Sequence, residues 1–170
     1  GPGGGSNDGY GGGRGTDEGL SAGERTGGVY PIEGSAAHPS GRDYRLVFDV
    51  TESGPSDQPH RSFEHAARAL NLYALAGVAH DEVSIVLVIH GDATPSVLQD
   101  QAYRRAFGTP NPNSRVMALL NDMGVKIEVC GQEFHSAGFT PEQVSPAATT
   151  VLAAITALVE RQRDGFALIP

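Results

Sequence analysis

The sequence has a single cysteine, Cys130, so no intramolecular disulfide can form, and that thiol is either a small buried hydrophobe or a reactive centre. No apolar run approaches the roughly 18 residues that a membrane-spanning helix needs, so no membrane span is expected. Basic side chains are scarce: 12 Lys and Arg stand against 20 Asp and Glu, the net charge is -8, and nothing clusters beyond Arg104 and Arg105. Such a chain is a poor partner for nucleic acid or an anionic lipid surface. No Gly-rich phosphate fingerprint follows a predicted strand and no Ser/His/Asp elbow is present, so nucleotide and serine-hydrolase chemistry lack support. His60 and His65 do not share a helix face, and His135 with Cys130 supplies too few ligands for a structural zinc site, which takes about four. No metal and no cofactor is expected.

Glycine is abundant but uneven, with 14 of the 23 glycines in residues 1–34. Residues 1–42 therefore read as a Gly-rich leader, and residues 43–170 as a single domain long enough to bury one core. Gly1-Pro2 reads as the scar of a cleaved expression tag, since the first methionine is Met117. Two origins stay open for the rest of the leader: the polar start of an exported protein after signal-peptide removal, or a trimmed tail. Poor in side chains to bury and rich in backbone entropy to lose, it is expected to be flexible to Gly28. Val29 to Ile32 is the first apolar cluster, placed to pin the leader onto the domain or a neighbouring subunit.

Within the domain, β-formers and alternation predict a strand over residues 44–51, and Gly54, Pro55 and Pro59 mark a loop. Apolar residues at helical spacing predict a helix from Ser62, stopped by Gly77. The β-branched run 83–89 predicts a strand buried on both faces, the signature of a parallel sheet. Thr94-Pro95 reads as an N-cap with proline at the first helical position, opening a helix to about Ala106. Asn113 is placed to cap a helix that Gly124 ends; residues 125–129 follow as a strand and 133–137 as a helical turn. Thr140-Pro141 is another cap, residues 147–150 a short strand, 152–163 a helix with Ile155, Leu158 and Val159 inward, and 166–169 a last strand. Alternating strands and helices predict one α/β domain: a three-layer sandwich around a mostly parallel, roughly five-stranded sheet.

In such sheets ligands bind beyond the carboxyl ends of the strands, where both His90 and Cys130 fall. Cys130 begins a turn into a short helix whose backbone N–H groups favour a thiolate, as a nucleophile or persulfide carrier needs; a packed thiol stays equally open. His90-Gly91 offers a general acid or base with a glycine that lets a ligand approach. Tyr103, Asn111, Asn113, Gly131 and Gln132 complete the candidate pocket, although Tyr103 also fits a core position and Asn111-Pro112-Asn113 also fits a turn with an N-cap.

The segments VFDVT, NLYALAGV, VIHG, YRRAFGTPNPN, GVKIEVCGQ, ITALVERQ and GFALI, in this order from Tyr44 to Ile169, resemble the DsrE/DsrF-like family. The resemblance implies a compact three-layer α/β domain, assembly into trimers or hexamers, and a strand-end cysteine that carries persulfide sulfur between partner proteins in the active relays. The matching residue is Cys130, so the resemblance implies a sulfur carrier or sulfurtransferase working with a donor or acceptor protein. The leader before the first strand resembles that of exported members and favours a periplasmic location over a cytoplasmic one. The competing expectation is a non-catalytic oligomeric module that binds a small ligand or a protein and in which Cys130 is unreactive.

Overall fold

A computed structural model describes residues 27–39 and 41–170. Residues 1–26, where most of the expected flexible leader falls, lie outside the described residues. Five strands form one sheet: β1 (Tyr44–Val50), β2 (Val83–Ile89), β3 (Lys126–Cys130), β4 (Ala148–Val151) and β5 (Ala167–Ile169). Every pairing is parallel, and the order across the sheet is β4-β3-β2-β1-β5. The helices are α1 (Arg61–Leu75), α2 (Asp100–Phe107), α3 (Ser114–Asp122), α4 (Gly131–Ser136) and α5 (Ala154–Arg163).

The strand order dictates the layers. From β1 to β4 the chain steps in one direction, and right-handed crossovers keep α1 through α4 on one face. The step from β4 back past β1 to β5 reverses direction and carries α5 to the other face. Two cores result. Leu46, Phe48, Ile85, Leu87, Ile127 and Val129 point into the larger one, against Phe63, Ala66, Met117 and Leu120. Val47, Val86, Val88 and Cys130 point the other way, against Ala154, Ala157 and Leu158. Parallel sheets need both faces covered, yet α5 lies over β1 and β2. Beside it, over β3 and β4, runs a groove of about 490 Å³ whose lining includes Lys126, Glu128, Thr149, Val151 and Arg161. Glu128, almost wholly buried, is bonded there by the Arg161 guanidinium, which also stacks on Phe166.

Three local expectations are corrected. Thr94-Pro95 does not open a long helix: residues Gly91–Val97 form a 3-10 helix, and α2 starts at Asp100, capped by Gln99, whose Oε1 accepts from the N–H groups of Gln101 and Ala102. The intervening backbone is engaged elsewhere, because Ser145 donates to the Val97 carbonyl (2.8 Å) and Gln99 to that of Gln143 (2.8 Å). Asn113 occupies the α3 N-cap position but makes no capping bond with its side chain. In α5, Ile155 and Val159 face outward, 73% and 49% exposed, rather than inward. The helix carries two apolar stripes, and the one with small residues, Ala154 and Ala157, docks on the valines of β1 and β2, where a large side chain would hold it off.

The described part of the leader touches the domain through Gly27, through the His38 ring beside Tyr73, and through Pro39 and Gly41, which bond Tyr44 and Glu82; Val29 is half-buried. Asn71 donates to the Gly27 carbonyl (2.9 Å), and a Cβ there would lie 2.4 Å from the Arg68 nitrogen. Tyr30 and Ile32 are exposed.

Candidate functional site

Alternation along the strands places Asp49, Val88, Glu128 and Cys130 on the α5 face. The register Val50↔Ile89 and Ile89↔Val129 sets the next residues, Thr51, His90 and Cys130, side by side at the carboxyl ends of β1, β2 and β3. His90 is extended and its N–H donates to the Val50 carbonyl (2.9 Å), so it continues β2 by one residue. Its Nε2 lies 2.5 Å from Oδ1 of Asp49, one pleat back on β1, with both side chains partly open to solvent. With Asp49 ionised, Nε2 carries the proton and Nδ1 is left as the acceptor, a tautomer assigned from this bond.

Cys130 is only 4% exposed, packed with Val47, Val86, Val88 and Ala154. It pairs with Val151 of β4 and directly precedes α4, which starts earlier than the sequence suggests because Gly131 and Gln132 are already helical. Gly131 is required by packing: a Cβ would sit 2.7 Å from the Val151 carbonyl oxygen, and backbone cannot yield as a side-chain tip can. Gly131→Ala is therefore expected to push β4 away from β3 and lower stability by about 2 kcal/mol or more, read by chemical denaturation; an unchanged midpoint would contradict this. Gln132 is exposed at the rim. Gly91 takes φ +55° where the chain turns past the Thr51 carbonyl, a conformation that favours glycine.

Tyr103, Asn111 and Asn113 are not brought to this place. They lie in the helical layer on the opposite side of the sheet, all buried. The Tyr103 hydroxyl donates to the Ser56 carbonyl (2.7 Å), and burial, with Asp57 nearby, holds its ionisation above the usual tyrosine range. Asn111 and Asn113 bond each other and the backbone. A separate cavity of about 270 Å³ lies there, lined by Ser56, His60, Asp92, Ser96, Tyr103 and Phe107 among others. The candidate residues therefore divide into a strand-end group, His90, Gly91, Cys130, Gly131 and Gln132, and a group on the other side of the sheet, of which Tyr103 and Asn113 line this cavity.

Asp49 was missed by sequence reasoning. The signal was the carboxylate inside LVFDV, where alternation calls for a residue matching the buried Val47. Among the described residues no group of three or more His, Cys, Asp or Glu side chains is arranged to hold a metal ion. No helix among them is long and apolar enough to cross a membrane.

The profile of the DsrE/DsrF-like family matches residues 45–170. The chain belongs to the DsrE/DsrF-like family. The fold agrees: a solved structure described as a protein of unknown function, MTH1491, from Methanobacterium thermoautotrophicum is 23% identical, with a TM-score of 0.55, over 75% of this chain and 98% of that one. No curated protein matches the chain. Family membership suggests a function of the sulfur-relay type, and the α/β sandwich of this DsrE/DsrF-like chain presents its one cysteine at a strand carboxyl end.

Proposed function

We propose that this DsrE/DsrF-like protein handles sulfane sulfur as a persulfide on Cys130. The observation that carries the reading is the adjacency, on one face of the sheet, of the strand-end thiol and an imidazole already held by a carboxylate. A persulfide carrier needs a thiol that loses its proton on demand and a neighbour that takes and returns it. In loading, the Cys130 sulfur attacks the outer sulfur of a donor persulfide. The donor's S–S bond breaks, a new one forms on Cys130, and the donor leaves as a thiol with the proton Cys130 gave up. No oxidant is consumed. Because Cys130 lies beneath Ala154, the first turn of α5 must open for a donor to reach it.

A second reading, a binding module in which Cys130 is a packed thiol, is favoured by its burial and by the lack, among the described residues, of any hydrogen bond to it. The two differ in alkylation. A sulfur-handling Cys130 reacts with iodoacetamide near neutral pH through local opening of the first turn of α5, far faster than global unfolding allows, and His90→Ala slows it. A packed thiol reacts only slowly, at alkaline pH or on unfolding, whatever stands at position 90.

The partners we propose are further copies of this chain and a donor or acceptor protein. Ile155 and Val159 on α5, with Leu152 just before it, are exposed apolar side chains, which suits a contact between copies. Light scattering is expected to report an oligomer that Ile155→Asp dissociates; a monomeric wild type would contradict this.

A further inference from the structure

Resting on the sulfur-handling reading, we propose that Asp49 is a positioning residue: it fixes His90 in the Nε2–H tautomer, so that Nδ1 takes the Cys130 proton and returns it to the departing donor thiolate. Asp49 interrupts the buried series Leu46, Val47, Phe48 and Val50 of β1, at a position a third open to solvent where its carboxylate reaches the His90 ring. The one side-chain hydrogen bond of Asp49 among the described residues goes to His90. The other carboxylate on this face, Glu128, is engaged with Arg161 of α5. Asp92 lies just beyond His90 on the following turn, and Arg45, toward the other end of β1, bonds Asp43 and the Asp164 carbonyl. So Asp49 is the charged group in contact with the imidazole.

The bond sets the chemistry. A carboxylate 2.5 Å from Nε2 accepts a charge-assisted hydrogen bond, which holds the proton there and leaves the lone pair on Nδ1. Nδ1 has no partner among the described residues. The register sets His90 at the end of β2 level with Cys130 on β3, with Asp49 on the other neighbouring strand β1, and strands run about 4.8 Å apart, the spacing across which the proposal places proton transfer, direct or through one water. When Nδ1 takes the proton, the resulting imidazolium stays paired with Asp49. When the donor's S–S bond breaks, the proton passes from Nδ1 to the departing thiolate and the neutral Nε2–H tautomer is restored.

The test combines nitrogen-15 shifts of His90 with the rate at which a small-molecule persulfide loads Cys130. The wild type is expected to show the Nε2–H tautomer near neutral pH; a predominant Nδ1–H form would overturn the proposal without any variant. Asp49→Asn is expected to mix the tautomers and slow loading at least about tenfold, and His90→Ala to slow it roughly 100-fold with partial rescue by added imidazole. Neither tautomer mixing nor imidazole rescue follows from a structural role. If Asp49→Asn keeps the tautomer and loads at the wild-type rate, Asp49 has no such function. If the wild type shows the expected tautomer but takes up no sulfur, it is the sulfur reading that fails.

Discussion

Asn111→Ala is expected to cost about 3 kcal/mol or more of folding stability, seen as a fall of roughly 10 °C or more in Tm. The side chain is 5% exposed and fully used. Its Nδ2 donates to the carbonyls of Ser96 (2.9 Å) and Leu98 (2.6 Å), and its Oδ1 accepts from the backbone N–H (2.8 Å) and the side-chain amide (2.9 Å) of Asn113. Asn113 passes the connection on, accepting from the His60 N–H (2.6 Å) at the start of α1. Two asparagines thus tie the irregular 96–98 segment, the turn before α3 and the N-terminus of α1. Truncation leaves two carbonyls and an N–H buried without partners, and each unmet group costs about 1 to 3 kcal/mol. A loss below about 1 kcal/mol would show that water replaces the side chain and that the network is not structural.

Cys130→Ala is expected to abolish sulfur uptake while changing stability by only about 1 kcal/mol. Cys130 is the one cysteine of the chain, so no other thiol can carry the sulfur. Its energetic part in the fold is small: the sulfur fills space among Val47, Val86, Val88 and Ala154, and alanine keeps that site apolar at the expense of a small void. Retained sulfur uptake by the folded variant would exclude Cys130 as the carrier. The two substitutions separate cleanly, because Asn111→Ala below its melting range is expected to load sulfur normally.

What could be read from the chain depended on whether a residue's fate is decided locally. The strands showed themselves through β-branched runs, and the end of α3 through Gly124, at positive φ. The orientation of α5 did not, since AITALVERQ carries two apolar stripes and the choice between them depends on the valines it meets on the sheet. Thr94-Pro95 is a sound local start signal, overruled by backbone pairing between residues 97–99 and 143–145. At the site, His90 and Cys130 were legible because each closes a strand. Asp49 was not, because its meaning lies in an imidazole far away in sequence on the neighbouring strand. Tyr103, Asn111 and Asn113 look functional as a motif because polar residues in a fixed pattern serve a buried network as well as a ligand.

The central claim is tested most directly by intact-protein mass spectrometry after exposure to a small-molecule persulfide, followed by peptide mapping. The account predicts the added mass of one sulfur atom on the peptide that contains Cys130, removed again by a reductant. No added mass from neutral to alkaline pH, on protein whose thiol is shown to be free, would contradict it.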